Sequence, residues 1–167
     1  NCIALNNGVI RHVSAPTSGD VHYTQNAILS ELVVAHPYRR LLFDQTVTLD
    51  GQGFPVLFTQ SSVPLISVAA NRTLTLQNIT LEYFSPSFVT LASGASLYCN
   101  DATRINLAKD EDLTQTFTFR GACTINGQGH ALNLADAGGL MVMGHKSSLL
   151  LENMTLKGLS GNQLRCM

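Results

Sequence analysis

Short segments of alternating apolar and polar residues recur along the chain. Two of them are Thr46-Val-Thr-Leu-Asp50 and Thr73-Leu-Thr-Leu-Gln77, and three similar segments follow at Ser96-Leu-Tyr-Cys-Asn100, Ala122-Cys-Thr-Ile-Asn126 and Ser148-Leu-Leu-Leu-Glu152. The alternation has a period of two, which is typical of a strand with one buried face. Each segment is therefore predicted to be a β-strand.

Alignment of the five strands gives one column that is apolar throughout and a second column, two residues later, of residues that favour turns. The apolar column contains Leu49, Leu76, Cys99, Ile125 and Leu151, and we predict that these side chains form a single inward stack. The turn column contains Gly51, Asn78, Asp101, Gly127 and Asn153. Glycine and asparagine adopt left-handed backbone geometry at the lowest cost, so this column is predicted to form a ladder of turns.

Corresponding residues of successive strands lie 23 to 27 residues apart. That interval is too short for a strand, a full helix and a second parallel strand. It does contain further apolar segments, Leu65–Val68, Phe88–Leu91 and Leu140–Val142. The pattern therefore predicts an all-β solenoid with coils of three short strands, each coil rising about 4.8 Å along the axis.

The segments Ile125-Asn-Gly-Gln-Gly-His-Ala-Leu-Asn-Leu134 and Ser148-Leu-Leu-Leu-Glu-Asn-Met-Thr-Leu156 resemble the coils of right-handed parallel β-helix proteins, the pectin-lyase-like superfold. They are most similar to long bacterial surface proteins built from such repeats. The resemblance extends over roughly residues 41–167 and implies a right-handed parallel β-helix. It does not specify a function, because the superfold includes lyases, hydrolases, adhesins, phage tailspikes and inert stalks.

Residues 1–40 fit the repeat less well than the rest of the chain. We predict partial coils or a cap there, followed by one continuous β-helix domain over residues 41–167. Val9–Val13 is predicted to be a further strand. Helical spacing at Ile28, Leu29, Leu32 and Val33 favours a short N-terminal capping helix.

Composition and charge exclude several classes of protein. The chain is 45% apolar and 13% charged, against about 25% charged in an ordinary domain, so it is not a disordered segment. Ten basic and eleven acidic residues leave a net charge of -1, which predicts no nucleic-acid partner. No run of about 18 apolar residues is present, so membrane insertion is not expected.

The candidate chemistry of the outward positions is sparse. The polar column that follows the apolar stack has carboxylates only at Asp50 and Glu152, predicted to lie about 19 Å apart at the strand spacing. Glycosidases need two carboxyl groups about 5 to 9.5 Å apart. Asp110-Glu111-Asp112 is predicted to be a solvated loop, and the histidines, including His130, are predicted to be surface residues. We therefore predict no catalytic residue, no cofactor site and no metal site.

The four cysteines are too few and too irregularly spaced for a disulfide scaffold. Cys99 and Cys123 are predicted to point inward on adjacent coils with their Cα atoms about 8 Å apart. A disulfide tolerates a Cα separation of at most about 7 Å. Both side chains are therefore predicted to be buried free thiols.

Two functional hypotheses follow. We favour a non-enzymatic structural module of an extracellular or cell-surface protein, such as a stalk, an adhesin or a filament subunit. Neither end of the sequence has an obvious polar cap, so end-to-end self-association is expected. The alternative is a glycan-binding or polysaccharide-cleaving domain, a lyase or hydrolase, whose site lies in residues 14–40 or 101–116.

Overall fold

The segments of alternating polarity form strands with one buried and one outward face. In the strand Val47–Asp50, for example, Val47 and Leu49 are buried while Thr48 and Asp50 are partly exposed. The computed structural model describes residues 3–6, 9–12, 19–134, 139–159 and 163–167. In these residues the chain forms a right-handed parallel β-solenoid, as predicted, and the one helix is a 3₁₀ turn at Pro86–Phe88.

The chain passes through three sides in every coil. The first side is a nine-stranded sheet of β1 Ile3–Asn6, β2 Val9–His12, β4 Ala27–Ile28, β7 Val47–Asp50, β10 Thr73–Gln77, β13 Ser96–Cys99, β16 Thr116–Phe119, β19 Leu140–Met143 and β22 Leu164–Cys166. Only β1 and β2 pair antiparallel among the strands described in this sheet. The strand predicted at Val9–Val13 is present over Val9–His12, paired antiparallel with β1, and Val13 lies outside the described residues.

The second side is a six-stranded sheet, and its strands mark six successive coils. It consists of β5 Val33–Ala35, β8 Pro55–Phe58, β11 Thr80–Phe84, β14 Thr103–Leu107, β17 Ala122–Asn126 and β20 Ser148–Glu152. All of its strand pairs are parallel. One face of each strand is apolar and points into the core.

The third side is divided into two sheets. The first has four strands, β3 Val21–Tyr23, β6 Leu41–Phe43, β9 Ile66–Val68 and β12 Val89–Leu91. The second has three strands, β15 Glu111–Asp112, β18 Ala131–Asn133 and β21 Thr155–Lys157. At the interruption between β12 and β15, the side-chain amide of Gln115 donates a hydrogen bond to the Val89 carbonyl. This contact links residues 26 positions apart, on neighbouring coils.

Similar side chains stack on one another along the core. On the six-stranded sheet the inward stack is Val33, Val56, Leu81, Ile105, Ile125 and Leu151. Aromatic rings also pack between coils: Tyr23 stacks on Phe43 with ring centroids 4.8 Å apart, and Phe84 packs edge-on against Phe117 at 6.0 Å. Because each buried large apolar side chain contributes roughly 1.5 to 3 kcal/mol, the stacks hold the coils together along the axis.

The predicted single stack of five residues is wrong. Leu49, Leu76 and Cys99 do lie opposite one another on the nine-stranded sheet. Ile125 and Leu151 belong instead to the six-stranded sheet. The reason is the short coil that follows Cys99: its partner in the next coil is Phe119, only 20 residues later. The two later copies of the motif therefore form strands on the next side of the solenoid.

The N-terminal region contains coils rather than the predicted capping helix. Ala27–Ile28 and Val33–Ala35 are strands on two different sides. Leu29 and Val33 are both buried because the chain turns a corner between them. The spacing of apolar residues that resembled a helix thus arises from two short strands joined at a corner. Parallel pairing begins with Val9–His12, which pairs with Ala27–Ile28 inside the segment assigned to partial coils or a cap.

Candidate functional site

The predicted turn ladder is divided between two corners of the solenoid. Gly51, Asn78 and Asp101 lie at the corner between the nine- and six-stranded sheets, where the Asn78 amide donates to the Asp101 carbonyl at 3.0 Å. Gly127 and Asn153 lie at the next corner, between the six- and three-stranded sheets. One continuous ladder is therefore incorrect, for the same reason as the single core stack.

Two different physical demands select the residues of these turns. Asn78 and Asn153 have φ values of +48° and +49°, so the expected left-handed geometry is present. Gly51 is needed for close approach instead: a Cβ atom there would lie 2.6 Å from the carbonyl oxygen of Asn78. Asparagine is thus favoured because it tolerates the left-handed backbone conformation, and glycine because its lack of a Cβ atom lets one coil pack closely on the next.

The carboxylate of Asp50 organises the first of these corners. It accepts hydrogen bonds from the Gln52 amide at 2.9 Å, from Nε2 of Gln77 at 3.0 Å and from Nδ2 of Asn78 at 3.2 Å. Burial opposes ionisation of this carboxyl, but the three hydrogen bonds outweigh it and hold its pKa below the ordinary value. Asp50 therefore has a structural role in tying two coils together.

Glu152 lies on a different side of the solenoid from Asp50. It belongs to β20 of the six-stranded sheet and forms an ion pair with Arg104, two coils earlier. The prediction that Asp50 and Glu152 occupy one polar column is therefore wrong. Each carboxylate has its own structural partners, and the two do not share a surface.

The acidic segment 110–112 is more ordered than the predicted solvated loop. The Asp110 carboxylate accepts a hydrogen bond from the Ala131 amide at 2.9 Å and lies 3.5 Å from Nδ1 of His130. Glu111 and Asp112 form β15, and the Glu111 side chain is only 8% exposed. The prediction fails here because Glu111 occupies an inward position, in register with the buried Leu132.

The two buried cysteines are free thiols, as predicted. The geometric reason was wrong, because Cys99 lies in the nine-stranded sheet and Cys123 in the six-stranded sheet. The Cys123 thiol donates to the Cys99 carbonyl at 3.2 Å. Burial raises the pKa of both thiols, that of Cys123 to about 11. Cys166 is exposed.

Several polar pairs that the sequence did not reveal join residues one coil apart. Nδ1 of His22 lies 2.7 Å from the carboxylate of Asp44, and Asp20 pairs with Arg40. The separations are 22 and 20 residues, within the range of the coil length. A search for aspartate or glutamate at that separation from arginine, lysine or histidine would have found both pairs.

The Asp20–Arg40 pair forms the polar wall of an open cleft of about 520 Å³ at the corner between β5 and β6. The residues around the cleft are Gly19, Asp20, Pro37, Tyr38, Arg40 and Val63. The backbone amide and Nε of Arg40 donate to Oδ1 of Asp20 at 3.0 and 3.1 Å. The Arg40 side chain holds the pKa of Asp20 below its ordinary value through these contacts.

Two further findings concern the part of the chain that the structure describes. It contains no group of three or more histidine, cysteine, aspartate or glutamate side chains placed to hold a metal ion. In the same residues no helix has the length and apolar character needed to cross a bilayer.

Comparison of the chain with protein families, curated proteins and solved structures found no match. The function has to be inferred from the geometry of the chain itself.

Proposed function

We propose that this protein is a rigid, non-enzymatic structural module of an extracellular or cell-surface protein, serving as a stalk, an adhesin or a filament subunit. The observation that carries the proposal is the continuous stacking of coils, in which each strand pairs with its counterpart one coil away. Such a solenoid transmits its shape along one axis through nearest-neighbour contacts. A module with that property can hold the parts attached to it at a fixed distance and in a fixed direction.

The corners add to the stiffness expected from the sheets. Backbone hydrogen bonds join successive coils at the turns, as between Gly51 and the Gln77 carbonyl at 2.9 Å and between Gly127 and the Glu152 carbonyl at 2.9 Å. The Arg104–Glu152 ion pair spans two coil steps on the outer surface. Bending the solenoid would require several of these bonds to break together.

The last coil supports a proposal of end-to-end stacking. Strands β20, β21 and β22 are the terminal strands of their sheets among the described residues. The inward Leu151 is partly exposed, whereas its counterpart one coil earlier, Ile125, is only 4% exposed. A strand at the edge of a parallel sheet can pair with a strand of another β-coil. We propose that a second copy supplies that coil, in a head-to-tail arrangement that extends into filaments.

Sedimentation velocity and negative-stain microscopy of the 167-residue chain test the stacking. We expect rods that lengthen with protein concentration. Leu151→Lys should shorten them, because it places a charge on the stacking surface. Leu150→Lys is the matched control, since Leu150 is 56% exposed on the outward face of the same strand. A wild-type monomer at high micromolar concentration, or equal effects of the two variants, would overturn the stacking proposal.

The remaining parts of the proposal need separate measurements. Rigidity predicts a single inter-dye distance by single-molecule energy transfer between dyes placed on outward positions of distant coils. A broad distribution of distances would contradict it. Surface location predicts that antibodies against the chain label intact cells of the source organism. A product released from any member of a polysaccharide panel would contradict the non-enzymatic role and favour a lyase or hydrolase.

A further inference from the structure

Tyr38 is presented to solvent by a hydrogen-bonded turn. Its side chain is 77% exposed, the largest value among the exposed large hydrophobic side chains that the structure describes. The turn is closed by hydrogen bonds between the backbones of His36 and Arg39, at 2.7 and 3.3 Å, and Pro37 restricts its conformation. The Gly19 amide also donates to the Tyr38 carbonyl at 2.7 Å. The ring therefore stands on a backbone that a ligand would not have to order.

The polar wall beside this ring is a two-point ion pair. Nε and one Nη of Arg40 both donate to the Asp20 carboxylate. The pair has no net charge, yet a guanidinium has five N–H donors and a carboxylate has about four acceptor positions. The contacts between Asp20 and Arg40 leave further donors and acceptors available at the rim of the cleft. Those groups can bind hydroxyls without requiring a charged ligand.

The third wall is apolar. Val63, from the loop between β8 and β9, is 42% exposed and lines the cleft together with Pro37. The volume of about 520 Å³ lies within the range of small-molecule sites. The cleft thus combines an aromatic face, an apolar wall and a neutral hydrogen-bonding edge.

We propose that this cleft, the Tyr38 cleft, binds a neutral saccharide. A sugar ring has an apolar C–H face, which would stack on Tyr38, and a rim of hydroxyl groups, which would bond to Asp20 and Arg40. Because the charges of Asp20 and Arg40 are paired with each other, the cleft offers no unbalanced charge for an acidic sugar. A purely apolar ligand would remove the ion pair from water without replacing its hydrogen bonds, which is costly.

The Tyr38 cleft is independent of the proposed end-to-end stacking. It lies at a lateral corner between β5 and β6, whereas the stacking surface on the last coil is formed by β20, β21 and β22. Failure of filament formation would leave saccharide binding unaffected, and the reverse also holds.

The test is titration calorimetry with neutral oligosaccharides (cello-, xylo-, manno-, malto- and chito-oligosaccharides) and with oligogalacturonate as the acidic comparison. We expect the protein to bind at least one neutral oligosaccharide. Tyr38→Ala should weaken that binding by about tenfold or more, as expected for the loss of an aromatic anchor. Tyr38→Phe should retain most of the affinity, because the ring remains. Phe54→Ala is the matched control, since Phe54 is 39% exposed at a different corner.

A second measurement uses the wild-type protein, so it does not depend on whether a variant folds. In protein with ¹³C-labelled tyrosine, addition of the same oligosaccharide should shift the Tyr38 ring resonance and leave that of Tyr83, on β11 two coils away, unchanged. Three results would overturn the proposal. The first is that no neutral oligosaccharide binds, and the second is that only oligogalacturonate binds. The third is that a neutral oligosaccharide binds without shifting the Tyr38 resonance and with equal affinity for wild type and Tyr38→Ala.

Discussion

The hydroxyl of Ser85 donates a 2.7 Å hydrogen bond to Oε2 of Glu111, on the inward side of the solenoid. Among the described residues, Oε1 of the same carboxyl has no hydrogen-bond partner. Burial raises the pKa of Glu111, the charge of Asp112 adds to that effect, and the smaller lowering effects of Ser85, Lys109 and His130 do not cancel it. In these surroundings the protonated form of the carboxyl group is favoured over the ionised form more strongly than it is in water.

This carboxyl predicts a pH-dependent stability. The folded protein binds the Glu111 proton more tightly than the unfolded chain, so this contribution is present below the ordinary pKa of 4.5 and is lost as pH rises through the folded value. Glu111→Gln removes the dependence. Its free energy of unfolding relative to wild type should therefore increase between about pH 4 and pH 7, as measured by urea denaturation.

Asp112→Asn is the control for that measurement, because Asp112 is an exposed carboxyl on the same strand. Its difference from wild type should rise with pH by much less than that of Glu111→Gln, because the charge of Asp112 is only a minor cause of the raised pKa of Glu111. A Glu111→Gln difference that is constant across the range would contradict the assignment.

The inward position of Leu76 predicts a large cost of truncation. Leu76 is 1% exposed and lies between Leu49 and Cys99 in the stack. Leu76→Ala should lower the free energy of unfolding by about 2 to 5 kcal/mol, and Leu76→Asp should prevent folding because it buries an unpaired charge. Thr75→Ala, on the outward face of the same strand, should cost well under half as much. Equal losses in thermal or urea unfolding would show that the assigned faces are wrong.

The thiols should differ sharply in reactivity. Cys99 and Cys123 are buried, and their raised pKa values keep them protonated at neutral pH, whereas Cys166 is exposed. Brief treatment of native protein with N-ethylmaleimide, followed by peptide mass spectrometry, should label Cys166 and spare the other two. Denaturation should make Cys99 and Cys123 reactive as well. Rapid native labelling of Cys99, or a disulfide between Cys99 and Cys123, would contradict the structure.

Two glycines of one turn should respond differently to the same substitution. A Cβ at Gly51 would lie 2.6 Å from the Asn78 carbonyl oxygen and 2.7 Å from Cβ of Ile79, so Gly51→Asn should cost roughly 1 to 3 kcal/mol or more. Gly53 has φ of +86° and no atom within 4 Å of such a Cβ. Because asparagine tolerates left-handed geometry, Gly53→Asn should cost less than about 1 kcal/mol. The reverse order in thermal unfolding would contradict this account.

Tyr83 predicts a stabilising substitution. It has φ of +57° at a bulge between Leu81 and Phe84, both of which point inward, and it is 56% exposed. Left-handed geometry costs a residue with a side chain roughly 1 to 2 kcal/mol, and asparagine tolerates it better than most. Tyr83→Asn should therefore raise the midpoint of thermal unfolding. Tyr83→Ala keeps the Cβ and should not; equal midpoints for the two variants would argue against strain at this position.

The strands and the three-strand coil could be predicted from the sequence because period-two alternation is a local property. The side of the solenoid on which a strand lies depends on the number of residues in every preceding coil. The continuation of the Cys99 stack, Thr116-Phe-Thr-Phe119, has the same alternation and is followed by Gly121 at the turn position. Ala122-Cys-Thr-Ile-Asn126 has the same features six residues later and is aligned in its place. The prediction of which side each strand occupies is therefore wrong from that strand onward.

The polar contacts were harder to predict for a related reason. Asp20 and Arg40 are adjacent only because one coil brings the chain back beside itself. The burial of Glu111 arises where the third side changes from one sheet to another, a break that local composition does not mark. Such sites depend on the length of each coil as much as on the residues themselves.

The similar turns Gly51-Gln-Gly53 and Gly127-Gln-Gly129 occupy successive corners, because the intervening chain makes three coils and one further side. Identical local structures therefore look outward in different directions around the axis. Two molecules of a partner that recognised this turn would sit at different azimuths and different heights, clear of one another. The change of corner thus separates equivalent turns in angle around the axis as well as in height along it.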